Sequence, residues 1–173
     1  MADVRSRRNF TRAEVVELLD YDPETGNLIW KIKRNSYGGK CRPGAVAGAR
    51  SNGYIQVKLF GLLYRAHHIA WLIMTGDWPP IDRDMDHINR DRSDNRWPNL
   101  RLASRSQNNV NREKHANSAY AGVTFRRDTG KWRARISRDG KTILLGEAFE
   151  TQELAIEARK KAEQSMYGEY IAA

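Results

Sequence analysis

The chain has 173 residues, with 30 Lys and Arg against 21 Asp and Glu, a formal net charge of +9. This length allows one large domain or two small ones, 40% hydrophobic residues allow a buried core, and 29% charged residues with five Trp argue against a disordered chain. A single Cys excludes a disulfide framework and a Cys-rich zinc site, and the basic excess points toward a polyanion, most often nucleic acid.

The N-terminus MADVRSRRNF is charged, with no apolar stretch behind it, and argues against a secretory signal. Ile69 to Met74, the longest apolar run, is too short to span a bilayer, so no membrane partner is expected. A reduced cytoplasm is the default compartment, where Cys41 is a small half-buried side chain. Residues 11–19 predict a short helix, with Thr11 and Glu14 forming a capping box. Asp22 to Asn27 is a turn cluster, and Leu28-Ile29-Trp30 reads as a strand. Residues 35–53 hold five Gly and one Pro and read as a mobile loop. Asn52-Gly53 is a hairpin turn leading into the alternating strand Tyr54 to Leu59. Residues 64–75 start as strand or loop and end as a buried helix closed by Gly76.

Residues 81–115 are dense in Asp, Asn and Arg and form either a loop or a site. A polar linker near 113–119 then divides the chain. Beyond it, three β-type runs follow, Gly122 to Arg127, Trp132 to Arg138 and Thr142 to Phe149, with turns at Asp128-Thr129-Gly130 and Asp139-Gly140. A helix opens at Thr151 and Glu153, with Leu154, Ala155, Ala158, Ala162 and Met166 at helical spacing. The fold class is α+β, with a three-stranded antiparallel sheet packed on one helix in the C-terminal part.

The most informative segment is Asp84-Met85-Asp86-His87-Ile88-Asn89, with Asn99-Leu100-Arg101 and then Ser104 to Asn108. Phosphodiester hydrolysis needs a hard divalent cation on oxygen ligands and a base that titrates near neutrality. Asp86 and His87 are adjacent, so on a strand they face opposite sides and take different roles. Ser104 and Gln107 form a second capping box, which starts a helix at about 105 and puts Asn108 in its first turns. The same Asp and Asn residues also suit a plain turn in which they bond backbone amides.

Residues 67–111 resemble the HNH endonuclease family in its phage and homing version: Asp-His, an Asn-Leu-Arg thirteen residues after the Asp, and an Asn nine further on. The resemblance implies a ββα-metal (His-Me finger) domain over 1–115 that cuts DNA with a divalent ion, Mg²⁺ or else Mn²⁺. It implies Asp86 and Asn108 as metal ligands, His87 as general base, and Asn99 as the brace of the loop between the strands. Many family members have His where this chain has Asn108, and the paired cysteines of a structural zinc are missing, so none is expected. Asn95, Asn109 and Asn111 compete for the ligand role, and Asn108 leads by spacing. His67 matches a His that precedes the active-site strands and either supports the site or is a core histidine. His115 reads as solvated. Arg90, Arg92, Arg96, Arg101, Arg105 and Arg112 surround the segment, and some would hold phosphates, Arg105 and Arg112 among them.

In the C-terminal module, alternation puts Val123, Phe125, Trp132, Ala134, Ile136, Ile143 and Leu145 on a core face. Thr124, Arg126, Arg133, Arg135, Ser137, Thr142 and Leu144 face outward. Residues 120–146 carry seven basic and two acidic side chains, net +5, and 147–173 carry three and six, net −3. This module (119–173) resembles the plant ethylene-response-factor-type DNA-binding domain through Ala121 to Arg126, Gly130 to Ile136, Leu145 to Phe149 and Tyr167-Gly168-Glu169. The resemblance implies a sheet in the major groove of double-stranded DNA, with Arg126, Arg133, Arg135, Ser137 and Leu144 at the contact positions. Thr124 and Ser137 stand where the plant domains usually have Arg. One such site cuts one strand, so a monomer nicks and a double-strand break needs a homodimer or two events. The rival reading is a non-catalytic DNA-binding regulator with a degenerate nuclease fold. An RNA-binding module is disfavoured by the scarcity of outward aromatics.

Overall fold

The computed structural model describes residues 10–33, 42–111, 120–138 and 140–171. Cys41, Arg112, Asp139, His115 and the linker 113–119 lie outside them, as does part of the expected loop at 35–53. The chain is a mixture of helices and sheets and divides into two compact units, residues 1–102 and 103–173. The division precedes the expected linker, so the helix that bears Asn108 is counted with the second unit.

In the first unit, helix α1 (Arg12–Leu18) starts at Thr11, whose side chain accepts from the Glu14 amide while Glu14 reaches back to the Thr11 amide. The helix ends one residue earlier than expected, because Leu19 already begins strand β1 (Leu19–Tyr21). Strand β1 pairs antiparallel with β2 (Leu28–Trp30), and alternate residues of both point into the core. Strands β3 (Ala49–Ser51), β4 (Tyr54–Leu59) and β5 (Leu62–Arg65) form an antiparallel meander. Strand β3 corrects the expectation that 35–53 is all loop. Its pairing is set by Asn52 and Gly53, both at positive φ (51° and 81°), the geometry of a tight hairpin. The same turn chemistry joins β4 to β5 at Phe60-Gly61, a turn that a bulky residue at φ 48° hides from sequence reading.

Helix α2 (Ala66–Thr75) follows without a side-chain cap and buries Ala66, His67, Ile69, Ala70, Leu72 and Ile73. Its C-terminal end is closed by Gly76 in the left-handed region, and Arg12 Nε donates to the Ile73 carbonyl at 2.8 Å. Val15, Leu19, Leu28, Val57, Leu59, Tyr64, Ile69 and Leu72 are almost wholly buried and form the core that carries the site. Strands β6 (Asp84–His87) and β7 (Leu100–Ala103) make a two-stranded sheet, and Leu100 anchors it in that core.

The second unit opens with α3 (Arg105–Val110), whose capping box of Ser104 and Gln107 is complete in both directions. Strands β8 (Val123–Arg126), β9 (Lys131–Arg138) and β10 (Lys141–Phe149) form an antiparallel sheet in the order β10-β9-β8, with α4 (Gln152–Tyr167) packed through Ala155 against Val123 and Ala134. The parity of the expected faces holds between β8 and β9, where Val123 pairs with Ala134 and Phe125 with Trp132, but β10 shifts register between Leu144 and Gly146 and again before Phe149. Coverage does not follow parity: Phe125 is 50% and Ile143 38% exposed, where core positions were expected. The buried stripe of α4 is also shifted. It runs Ala155, Arg159, Glu163, Tyr167, and Leu154 is exposed. Arg159 and Glu163 approach to 2.9 Å, and the Tyr120 hydroxyl donates to Glu163, so a buried ion pair occupies a place that apolar periodicity assigned to alanine and methionine.

Candidate active site

Strand β6 delivers Asp86 and His87, both 5% exposed, and hands them to different partners. Asp86 turns to the neighbouring strand, where its Oδ2 accepts from Arg101 Nε at 2.9 Å and lies 2.8 Å from the adjacent guanidinium nitrogen. His87 turns the other way. Its ring meets His67 edge to face at 4.9 Å and lies 6.2 Å from Tyr54. Its Nε2 is 3.2 Å from Asn95 Oδ1. A carboxamide oxygen accepts, so this contact suits the tautomer with the proton on Nε2, in which Nδ1 carries the ring lone pair.

Burial pushes His87 below the usual histidine range, against upward pulls from Asn95 and from the charges of Asp86, Asp91 and Asp94. His67 is fully buried and held neutral, first by burial and then by His68, His87 and Arg65, and its Nδ1 meets no protein partner among the described residues. Burial also brings His68 down to about 4.

Between β6 and β7 the chain makes a loop that its own polar side chains knit together. Asn99, 8% exposed, accepts from the Asn89 amide at 3.0 Å and donates to the Asp94 carbonyl at 2.7 Å, clamping the two ends of the loop. Ile88 N–H donates to the Asn99 carbonyl at 3.0 Å, which continues the sheet. Asn89 donates to the Asp94 carboxylate and accepts from the Asp91 amide, and Asp91 accepts from the Ser93 amide and hydroxyl. Arg96 forks onto Asp94 and holds that carboxyl down at about 2. Much of the Asp and Asn content of 89–96 therefore serves the turn itself.

The loop is propped from outside as well. Tyr21 Oη donates to the Asn95 carbonyl at 2.7 Å, and Trp97 N–H donates to the Pro23 carbonyl. Gly26, at φ 74°, lies so close that a Cβ there would sit 2.4 Å from the Arg96 nitrogen. The turn at 22–27 thus fixes the backbone that carries Asn95. Tyr54 completes the surroundings, with the guanidinium of Arg65 4.2 Å and that of Arg92 5.2 Å from its ring centre.

The structure brings together Asp86, His87, Asn99 and His67 in the first unit. Asn108 stands on α3 in the second, half-buried, with its amide bonded to the Ser104 carbonyl. Arg105 and Asn109 are exposed on the same helix, and Asn111 caps its end, buried. Among the described residues no three His, Cys, Asp or Glu side chains cluster to hold a metal ion. On the C-terminal sheet Arg135, Ser137 and Leu144 are exposed. Arg126 is paired with Asp128 and Glu147, and Arg133 is half-buried, its Nε without a hydrogen-bond partner among the described residues. Sequence reading weighed Asn95 only as a metal ligand, and gave Tyr21, Gly26 and Tyr54 no part in the site. The Asp22–Asn27 turn cluster was visible, but nothing local says which loop it supports.

Residues 64–110, from β5 through α3, match the family model described as HNH endonuclease. No curated protein and no solved structure matches the chain.

Proposed function

We propose that the chain is a divalent-metal-dependent DNA endonuclease of the HNH class. A nuclease domain at 1–115 cuts, and a DNA-binding domain at 119–173 places it on double-stranded DNA. The observation that carries this reading is the pair Asp86-His87, buried at the end of β6, with the imidazole held by Asn95 and the loop beside it clamped by Asn99. It lies within the stretch that matches the family model.

The donor chemistry fits a hard cation. Asp86 and Asn108 offer a carboxylate and a carboxamide oxygen, of the kind Mg²⁺ accepts when water and substrate phosphates complete its shell. Mn²⁺ suits the same oxygens. When bound, the ion supplies positive charge for the pentacovalent phosphate and the leaving oxygen. His87 Nδ1 takes a proton from the attacking water, and the phosphorus–O3′ bond breaks as the new phosphorus–oxygen bond forms. Asn95 holds the Nε2 proton and so fixes which nitrogen acts. His67, neutral behind His87, packs the ring without adding a charge to it. Arg105 and Arg112 contact backbone phosphates, and Arg126, Arg133, Arg135, Ser137 and Leu144 meet the duplex from the C-terminal sheet. A monomer nicks one strand, and a homodimer cuts both. The enzyme works on DNA in the cytoplasm of a bacterial or phage-infected cell. Among the described residues no helix is long and apolar enough to cross a membrane.

One observation favours the alternative of a non-catalytic DNA-binding regulator: the Asp86 carboxylate is engaged by Arg101. A supercoiled-plasmid assay with Mg²⁺ or Mn²⁺ separates the two. The nuclease converts plasmid to open circle and stops on chelation without unfolding. A protein that shifts plasmid mobility and never nicks it is the regulator.

A further inference from the structure

The contact that favours the regulator has a second consequence if the nuclease reading is right. Asp86 and Arg101 face each other across the β6-β7 pair, with side chains 6% and 16% exposed. Nε and one terminal nitrogen of the guanidinium approach the same oxygen, Oδ2, at 2.9 and 2.8 Å. A carboxylate oxygen has two lone pairs, so these two donors saturate it. A divalent ion cannot join that oxygen without displacing a donor, and a guanidinium left beside it repels the ion. The buried carboxylate equally cannot stand alone in the absence of a cation. Arg101 is thus the counter-charge of the buried Asp86 carboxylate. It is also the more exposed partner, and its planar fork matches a phosphate as well as a carboxylate.

We propose that Arg101 is a substrate-contacting residue that exchanges partners: it holds Asp86 until DNA arrives, then moves to a backbone phosphate at the cut and releases Asp86 to the metal ion. Metal and DNA binding are then coupled, each strengthening the other by the same factor. The chain alone holds a divalent ion weakly, which keeps the loaded site for the moment when substrate is present. This inference rests on the nuclease reading and on Asp86 as ligand.

The test is Mn²⁺ affinity, followed by electron paramagnetic resonance on the full chain in the His87→Ala background, which keeps a 30-base-pair duplex intact. Adding duplex raises Mn²⁺ affinity roughly ten-fold or more. Arg101→Gln raises the affinity of the DNA-free chain by a similar factor and flattens the response to duplex. Arg101→Lys, which keeps the charge and loses the fork, stays near the parent without DNA and responds less to duplex. An Arg101→Gln chain that binds Mn²⁺ no better than the parent, or binds it more weakly, overturns the exchange and makes Arg101 a fixed anchor of the carboxylate. If Arg101→Gln does not fold, the parent decides: Mn²⁺ affinity indifferent to duplex overturns the proposal. Plasmid nicking by the wild-type chain with no such coupling leaves the nuclease reading standing and removes only the role of Arg101. Absence of both nicking and Mn²⁺ binding removes both.

Discussion

Base catalysis by an imidazole depends on which nitrogen carries the proton, and on the nuclease reading the Asn95 carboxamide beside His87 Nε2 sets this. Asn95 is 3% exposed and reaches His87 Nε2 from a backbone that Tyr21, Pro23 and Gly26 hold in place. Replacing Asn95 with Ala leaves the ring in its pocket and frees it to adopt the other tautomer. Nicking is then expected to slow by about 10- to 100-fold, the usual scale for losing the group that orients such a ligand or base. DNA affinity should stay within a factor of about two, because Asn95 is buried and meets no phosphate. A single-turnover assay beside a binding titration reads both. Unchanged cleavage would mean that the ring is held by packing against His67 and Tyr54 alone. Asp86, His87 and Asn99 stand out in the sequence because their spacing survives translation into a hairpin. Asn95 does not, because its role depends on where the loop folds back, and the loop also uses Asn89, Asp91 and Asp94 for its own turns.

At the scale of elements, α2 is the backing wall of the site. It places two histidines next to His87, and all three sit below the usual histidine range, chiefly through burial. In the unfolded chain each titrates near 6.5. Over the window from about 6.5 down to about 4, where burial holds folded His68, the unfolded state binds protons that the folded state refuses. The histidine contribution to stability is therefore complete above about pH 6.5 and declines as pH falls through the window. The contribution of Asp94, whose folded carboxyl is held at about 2, is lost only from the ordinary carboxylate range near 4 downward, below most of this window. Thermal melts at pH 7, 6 and 5 should show a progressive drop in Tm that His68→Asn reduces, and a flat Tm would mean that the histidines are solvated.

The C-terminal sheet is legible in the same pattern-based way up to a limit. Alternation gives the faces of β8 and β9, but neither the register shifts of β10 after Leu144 nor where helix coverage ends, so Phe125 and Ile143 emerge into solvent. Nor does it show that α4 buries an ion pair, because Arg159 and Glu163 are counted as surface by their charge. On the outward face Arg126 is already occupied by Asp128 and Glu147, whereas Arg135 is exposed. Arg135→Ala should weaken duplex binding and lower the slope of log K against log salt by about one. Arg126→Ala should do less, because Arg126 must first leave its carboxylates. Equal salt slopes for wild type and Arg135→Ala would take Arg135 off the phosphate backbone.

For the whole molecule, a net charge of +9 is distributed over two units with different tasks. The C-terminal strands concentrate positive charge, and the first unit buries the carboxylate of Asp86 and the imidazole of His87, which the proposed function makes the cutting site. Capping boxes at Thr11 and Ser104, the Asn52-Gly53 hairpin and the Gly76 helix stop are local codes, which is why they could be read directly. The prop of Gly26 against Arg96 and the pairing of Asp86 with Arg101 are long-range, and no local pattern announces them. The central claim is that His87 is the base of a DNA-cutting site and not a core histidine. The most direct measurement is nicking of supercoiled plasmid in Mg²⁺ by wild type and His87→Ala, with duplex affinity measured on both. Open circle from the wild type, a loss of about 1,000-fold or more in the variant and matching affinities are the expected result. Cleavage by His87→Ala at the wild-type rate would contradict it, as would a wild-type chain that binds DNA and leaves it intact in both Mg²⁺ and Mn²⁺.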